Sequence, residues 1–389
     1  MILRSLMLTL SFAIVTPLAA QETTIAPHML IDASLNPIPV KVLSISRDSV
    51  TVRTQTETVR VWPLNEVAAL LISRTGTGAT LAPGAAPHTL RLRDGRTYRG
   101  ELDIRGEKSA AGLTFRSVSV GEFTVSLEET SAVELSTDAR PRSAVTQDTL
   151  QFRNGDRATG FVESVGSTVR ISGTDGERVF EIESISAIDF ANPPTQARGF
   201  TVRTADEIIS CDGLSMPMSG PISILRGAAE ASDAPKMELQ SLLSIVPESG
   251  DVMSLSDLAI TSHDRSTSPP QVLMRGAVGR DLEVTGPATV TWTLPTNATK
   301  IAGELTLPEN CRDWGDLNYT LTVNDSTGER ARTSGRLNGQ AHTVEFALPV
   351  SPGTAMFTLK IESGEGGPIH DRVRLSRTLI ALESTVRTP

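Results

Sequence analysis

A short acidic and aromatic segment contains the residue types best suited to chemistry in this sequence. Asp313-Trp314-Gly315-Asp316 places two carboxylates around an indole and a glycine, shortly after Cys311. An indole can stack on the C–H face of a sugar ring, and carboxylates can accept hydrogen bonds from its hydroxyls or hold a cation. The pattern therefore predicts a binding loop in which Trp314 stacks and the acids form hydrogen bonds. The alternative interpretation is a structural loop with Trp314 half buried.

Catalytic motifs are missing from the sequence. No histidine stands at zinc-ligand spacing, and neither a G-x-S-x-G elbow nor a phosphate-binding glycine loop occurs. A glycosidase needs two facing acids, and Glu128-Glu129 or Glu181 with Glu183 are candidates by type. Alternation along a strand places those acids on a solvated face. We therefore expect no enzymatic activity, no metal and no cofactor, with a glycoside hydrolase as the least favoured alternative.

The two cysteines, Cys211 and Cys311, are the only ones in the chain. A disulfide between them is compatible with an exported protein and would link the fourth repeat to the C-terminal domain. The sequence cannot place their Cα atoms within bonding distance. Two interpretations stay open: a disulfide, or two small buried side chains that do not meet.

Charge and composition restrict the classes of partner. The chain has 389 residues, a formal net charge of −9 and 39% hydrophobic residues. A basic footprint is absent, so we expect no nucleic-acid partner. The hydrophobic content over this length favours several small cores over one large core. Only 4% of the residues are aromatic, which leaves few for a sugar-binding surface.

The first twenty residues have the layout of a secretory signal peptide. Arg4 supplies a positive charge, residues 5–15 are apolar, and small residues precede Gln21. We expect cleavage after residue 20 and export to the periplasm or the extracellular space. No later stretch reaches the roughly 20 apolar residues of a transmembrane helix, so we expect no membrane span in the mature chain.

An internal repeat is the clearest organisational signal. The heptapeptide TLRLRDG begins at Thr89 and its counterpart TLQFRNG begins at Thr149, and each is followed by a second glycine, Gly100 or Gly160. Alternating apolar residues before Asp-Gly or Asn-Gly predict a β-hairpin, because such a turn needs a positive φ. Each of these units therefore opens with a hairpin.

A shared ending extends the repeat from two copies to four. An apolar residue is followed, after four others, by Ala or Ser and a second apolar residue; the copies begin at Leu64, Leu127, Ile182 and Leu239. We interpret this ending as a tight turn or single helical turn and a short closing strand. The predicted units are residues 27–73, 86–137, 146–192 and 198–247. The first and last lack the hairpin glycine, and we expect them to cap the array. Each unit resembles a small SH3-like or Sm-like barrel, which implies a strongly bent sheet.

Residues 248–387 have a different texture, with six strand-like runs separated by turn clusters. The segments that carry a family resemblance are Ala288–Leu294, Asn318–Asp325 and a strand that runs from Phe357 into a glycine-rich loop, followed by Asp371. This order resembles the NPCBM family of carbohydrate-binding modules, a galactose-binding-like jelly roll. The resemblance implies a β-sandwich, and it adds Asp371 to Trp314, Asp313 and Asp316 as a ligand-binding residue.

The sequence as a whole predicts an all-β, exported, non-catalytic protein. Four small β-barrel-like repeats act as spacers or docking units, and the terminal sandwich acts as a carbohydrate-binding-like module. The expected partner is a polysaccharide or a cell-envelope protein. The alternative is a purely structural or protein-docking envelope protein that has no glycan ligand.

Overall fold

The computed structural model describes residues 28–72, 86–104, 112–136, 146–174, 176–195, 199–218, 220–225, 234–248, 251–264, 269–273, 276–365, 367 and 371–383. The predicted signal peptide, residues 1–20, lies outside this part. Strands dominate, and the helical elements of the described residues are single 3₁₀ turns. The all-β prediction is confirmed. No described helix is long and apolar enough to cross a membrane.

The first three predicted units share one order: four strands, a 3₁₀ turn and a closing strand. The first contains β1 His28–Asp32, β2 Pro37–Ile45, β3 Ser49–Thr54, β4 Val59–Pro63, the turn Leu64–Glu66 and β5 Val67–Leu71. The second contains β6 His88–Leu92, β7 Thr97–Leu102, β8 Leu113–Ser117, β9 Gly121–Val125, the turn Leu127–Glu129 and β10 Thr130–Glu134. The third contains β11 Asp148–Phe152, β12 Arg157–Val165, β13 Thr168–Gly173, β14 Gly176–Glu181, the turn Ile182–Ser184 and β15 Ile185–Asp189.

The fourth unit departs from this order. It contains β16 Phe200–Thr204, β17 Ile208–Cys211, β18 Gly213–Ser215, β19 Ile222–Leu225, β20 Lys236–Met237, the turn Leu239–Ser241 and β21 Leu242–Pro247. The strands β18, β19 and β20 form a separate small sheet. The predicted turn and closing strand are present in all four copies.

The opening hairpins explain the Asp-Gly and Asn-Gly signals. Gly95 and Gly155 have φ of 87° and 92°, in the left-handed region that glycine enters without strain. The first unit makes the same turn with Leu35, at a φ of 58°. The first unit therefore keeps its hairpin without the glycine, and a leucine occupies a conformation that branched and bulky residues rarely adopt.

One hydrogen bond, partly or fully buried, recurs at the start of the first three units. The Nδ1 atoms of His28 and His88 accept from the backbone N–H of the residue fourteen positions later, each at 3.0 Å. The carboxylate of Asp148 accepts from Val162 N–H at 2.8 Å in the third unit. Each acceptor satisfies a strand N–H that would otherwise be buried without a partner.

Closing strands join the units in an order that differs from the sequence. Strand β10 pairs with β15, with Val133 opposite Ile188, so the second unit joins the third. Strand β21 pairs with β5, with Ile245 opposite Leu70, so the fourth unit joins the first. The first and fourth units, which we expected to cap the array, are therefore paired with each other. Within the described residues no unit closes into a separate barrel; the units instead share one 18-stranded sheet.

The C-terminal region is a sandwich of two antiparallel sheets. Its strands are β22 Val252–Ser254, β23 Ile260–His263, β24 Gln271–Leu273, β25 Asp281–Thr285, β26 Ala288–Leu294, β27 Ala298–Thr306, β28 Asp316–Asp325, β29 Gly328–Asn338, β30 Thr343–Pro349, β31 Ala355–Ser363 and β32 Arg372–Leu382. One sheet has the order β24-β25-β32-β27-β30, with β22 beside β32, and the other has the order β23-β26-β31-β28-β29. The two sheets bury Trp292, Phe357 and Phe346 between them, as alternation along each strand predicts.

A third hydrophobic cluster connects the array to the sandwich. It contains Met29, Ile31 and Leu35 from the first unit, together with Leu379 and Ala381 from β32. The Leu35 side chain is only 3% exposed. Its burial at this joint offsets the strain of its backbone conformation.

Candidate functional site

The candidate site lies at one end of the sandwich, which we call the rim. The rim comprises the connections β25–β26, β27–β28, β29–β30 and β31–β32. Strand pairing places these connections at the same end of the sandwich. Asp316 at the start of β28 is paired with Asn338 at the end of β29, and Leu317 is paired with Ser363 at the end of β31. In the other sheet, Thr285 at the end of β25 is paired with Arg372 at the start of β32. The topology therefore gathers loops that are far apart in the chain, and it places the predicted site residues among them.

Trp314 is the most exposed large aromatic side chain of the rim. Its side chain is 74% exposed. The backbone beneath it is fixed, because the N–H groups of Trp314 and Gly315 both donate to the Cys311 carbonyl, at 3.3 and 2.6 Å. Asp313 beside it is also exposed. The half-buried alternative for Trp314 is therefore wrong, and the indole presents an open apolar surface on an ordered turn.

The other two tryptophans occupy different environments, and all three lie in the described part of the chain. Trp292 is fully buried in the sandwich core. Trp62 is 8% exposed, and the Arg60 guanidinium stacks 4.1 Å above its ring centre. Trp314 alone is therefore available for an external ligand.

Asp316 forms hydrogen bonds with two other parts of the rim, the end of β29 and the glycine-rich connection that follows β31. Its carboxylate accepts two hydrogen bonds from Arg336, at 2.5 and 2.7 Å, and a third from Glu365 N–H at 3.0 Å. The Asp316 carbonyl accepts from Gly364 N–H at 2.8 Å. These bonds hold the glycine-rich connection against the start of β28. The hydrogen bonds and charge of Asp316 raise the pKa of Arg336. Asp316 is therefore already saturated by protein groups.

Gly364 shows why this connection is glycine-rich. A Cβ at that position would lie 2.5 Å from the Asp316 carbonyl oxygen and 2.5 Å from its Cγ. Any larger residue would have to push the connection away from Asp316. The glycine thus permits the close approach that brings Glu365 and Arg336 to the rim surface.

Asp371 is buried beneath the rim. It is only 1% exposed, and its carbonyl accepts from Gly286 N–H at 2.6 Å. Burial raises the pKa of its carboxyl, and the charge of Asp316 raises it further. The carboxylate does not lie on the exposed rim surface beside Trp314, and the predicted hydrogen bond from a ligand hydroxyl to Asp371 stays a prediction. Asp371 lies near Asp316 but supports the rim from inside.

Arg336 was not predicted as a site residue, and Glu365 was predicted only as part of the glycine-rich loop. Arg336 is half exposed at the rim, and its Nη2 lies 3.7 Å from a Glu365 oxygen. Its partnership with Asp316 depends on the antiparallel pairing of β28 with β29, which sequence spacing does not reveal. The glycines around Glu365 were the available signal, because they indicate a connection whose backbone approaches another element closely.

The two cysteines are free thiols in the structure. Cys211 is buried in the core of the array, opposite Phe200, and Cys311 is buried in the 3₁₀ turn below Trp314. Burial also raises the pKa of the Cys311 thiol. The predicted disulfide is therefore not formed, and the alternative of two separate small buried side chains holds.

The described residues contain no group of three His, Cys, Asp or Glu side chains that could hold a metal ion.

The rim combines an exposed indole, an exposed carboxylate at Asp313, and the Arg336 and Glu365 pair. Such a surface can stack on a flat apolar face and exchange hydrogen bonds around its edge.

Comparisons with known proteins give only distant likenesses. No protein-family profile matches the chain, and no curated protein sequence matches it. Similar solved structures include the CBM51 module of a Clostridium perfringens GH95 protein in complex with methyl-galactose. That module is 11% identical at a TM-score of 0.28, over 33% of this chain and 99% of the module.

Two further similar structures are also carbohydrate-binding modules. Tandem CBM51 modules of a Streptococcus pneumoniae family 98 glycoside hydrolase are 10% identical at a TM-score of 0.27, over 87% of this chain and 88% of theirs. A module of Cellvibrio mixtus lichenase 5A, in complex with cellotriose, is 11% identical at a TM-score of 0.21, over 34% of this chain and 96% of the module. Similarity at this level is too low to transfer a ligand to this chain.

Proposed function

We propose that this chain is an exported, non-catalytic glycan-binding protein whose ligand stacks on Trp314. The observation that carries the proposal is the 74% exposure of an indole on a turn whose backbone is fixed by two hydrogen bonds. A large exposed aromatic side chain on an ordered loop offers a flat apolar surface on which a sugar ring can stack. The sugar would pack its C–H face on the indole.

Polar groups around the indole would set the orientation of the sugar. The exposed Asp313 carboxylate can accept from hydroxyls, and the Arg336 guanidinium can donate to ring or hydroxyl oxygens. Asp316 holds Arg336 in place through two short hydrogen bonds. In this proposal Asp316 and Asp371 position the rim, and Trp314, Asp313, Arg336 and Glu365 contact the ligand.

A glycan array followed by calorimetry tests the proposal. Trp314→Ala should lower affinity for any bound glycan at least tenfold, because stacking supplies the main apolar contact of the site. The variant should fold normally, since the side chain is exposed. Phe161→Ala is the matched control: Phe161 is 66% exposed on the third unit, remote in sequence from the rim. Binding that survives Trp314→Ala, or that is lost equally in both variants, would contradict the proposal.

Docking of an envelope protein is the second candidate, and one observation favours it. Phe161 and Val179 are 66% and 52% exposed. Their pairing partners Ser172 and Arg170 stand two residues apart on β13, so both apolar side chains project from the same face of the third unit. A protein partner that binds wild type but not Phe161→Ala, with no glycan bound, would favour docking over sugar binding.

Export is part of the proposal and rests on the predicted signal peptide. Expression of the full chain in a bacterial host, with fractionation and N-terminal sequencing, should yield a mature protein that begins near Gln21. Recovery of uncleaved chain in the cytoplasm would contradict it.

A further inference from the structure

A cavity of about 250 Å³ lies where the second unit meets the fourth. It is formed by β6, β7, β16, β17 and the turn between the last two, with Gly276 at one side. None of the rim residues lines it. The cavity therefore constitutes a separate place in the molecule where a small molecule could bind.

The fourth unit reaches into the second unit at this place. Glu207, which is only 2% exposed, accepts from Arg99 N–H at 2.9 Å and from the Ser117 hydroxyl at 2.8 Å. Both bonds use the same carboxylate oxygen, Oε1. Strands β7 and β17 pair beside it, with Ile208 opposite Thr97. This joint fixes the walls of the cavity, so the polar groups that line it are held in place before any ligand arrives.

Three guanidinium groups line the cavity, and their ion pairing is unequal. Arg91 pairs with Glu134 at 2.7 Å, and Arg99 pairs with Asp206 at 3.4 Å. Arg203 has no ion pair within 4 Å among the described residues. Its Nε atom is buried there without a hydrogen-bond partner, as is the Nε atom of Arg99. Burial lowers the pKa of Arg203, which the more distant charges of Asp257 and Glu248 only partly oppose.

A buried acceptor complements these donors. The second carboxylate oxygen of Glu207, Oε2, is also buried without a hydrogen-bond partner in the described part of the chain. Unpartnered buried donors and acceptors are rare, because each loses its hydration without compensation. A cavity that combines them is suited to a ligand that carries an anionic group and hydroxyl donors on one small frame.

We propose that this cavity is a binding site for a small hydroxylated carboxylate of the size of a uronic acid. The ligand carboxylate would lie against the Arg203 guanidinium, whose planar donors match two carboxylate oxygens. A ligand hydroxyl would donate to Glu207 Oε2. The volume of about 250 Å³ is sufficient for one such molecule.

Calorimetry on the full mature protein tests this site with D-galacturonate as the probe. We expect galacturonate to bind at least tenfold more tightly than methyl-galactoside, which lacks the carboxylate, and than sulfate, which lacks the hydroxyls. Equal binding of sulfate or of methyl-galactoside would overturn the proposed ligand class. Absence of galacturonate binding would overturn the site.

Variants separate the cavity from the rim. Arg203→Gln should weaken galacturonate binding at least tenfold, whereas Arg332→Gln, an exposed arginine on the edge strand β29, should leave it unchanged. Should Arg203→Gln lower the melting temperature, Arg203→Lys makes the same test, because lysine keeps the charge but cannot donate to two oxygens from one plane. Unchanged binding in the Arg203 variants would overturn the proposal. Trp314→Ala should not affect this binding, so the rim and cavity proposals fail independently.

Discussion

The array and the sandwich use their strands differently. In the array the closing strands bind other units, with Val133 opposite Ile188 and Ile245 opposite Leu70. In the sandwich two sheets pack face to face around Trp292 and Phe357, whose ring centres lie 5.7 Å apart. The strands of the sandwich pair with one another, and the loops that connect them at one end form the rim. Because of this difference, the cavity of the array lies between two units, whereas the sandwich presents loops at one end.

The largest expected effect concerns the sandwich core. Trp292→Ala should lower the free energy of unfolding by about 3–5 kcal/mol, because it removes a fully buried indole and leaves a cavity. Trp314→Ala, at the exposed rim, should change it by less than about 0.5 kcal/mol. Urea denaturation of both variants measures the contrast. Similar losses in the two variants would mean that the rim is part of the core, which would break the distinction between them.

A buried acid of the sandwich should make stability depend on pH. Burial raises the pKa of Asp281 from 3.8 to about 6, although it accepts from Ser376 at 3.0 Å. Because the folded state binds this proton more tightly than the unfolded chain, its contribution is fully present below pH 3.8 and is lost as pH rises through about 6.

Asp281→Asn should therefore stabilise the protein by roughly 2 kcal/mol at pH 7.5 and have little effect at pH 4. Thermal unfolding across this pH range measures it. Asp325→Asn is the opposite case: hydrogen bonds from Thr327 and Arg330 lower the pKa of Asp325 to about 2. Its removal should not stabilise the protein at pH 7.5. A gain at pH 7.5 from both substitutions would show that the effect is not specific to burial.

The smallest expected effect lies in the array. Burial lowers the pKa of His88, whose Nδ1 accepts from Leu102 N–H. The neutral imidazole is the bonded form, so its contribution is complete above pH 6.5 and is lost as pH falls below that value. His88→Ala should cost about 1 kcal/mol at pH 7.5.

His88→Asp provides the control, because the third unit uses Asp148 at the equivalent position. It should restore most of the stability at pH 7.5 and remove the loss as pH falls below 6.5. Thermal unfolding above and below pH 6.5 measures the two variants. Continued loss of stability in this pH range in His88→Asp would assign the effect to another group.

Local signals in the sequence predicted local structure well. The Asp-Gly and Asn-Gly turns at Gly95 and Gly155 form hairpins with positive φ, and the four closing motifs form a 3₁₀ turn and a strand. Both features depend on neighbouring residues alone. The unit boundaries and the signal peptide stay predictions.

Non-local features could not be predicted from the sequence. Which closing strands pair depends on contacts between units, and similar apolar strands give no preference among partners. Leu35 has a positive φ in the turn where the second and third units have glycine, and its side chain packs in one cluster with Leu379 of the distant strand β32. The partners of Asp316 and the burial of Asp371 could not be predicted either, because they depend on Arg336 and on the packing of the rim, which lie outside their own segments.

The joint between the first unit and the last strand has a consequence for how the chain folds. Arg377 donates to the Met29 sulfur across 348 positions of sequence, and Leu379 packs in the same cluster as Ile31. During synthesis, strand β1 is therefore made long before β32, which completes its surroundings. Such long-range closure slows folding and leaves apolar strand surface exposed in the meantime. An unfinished chain would thus depend on being shielded until its C-terminus arrives.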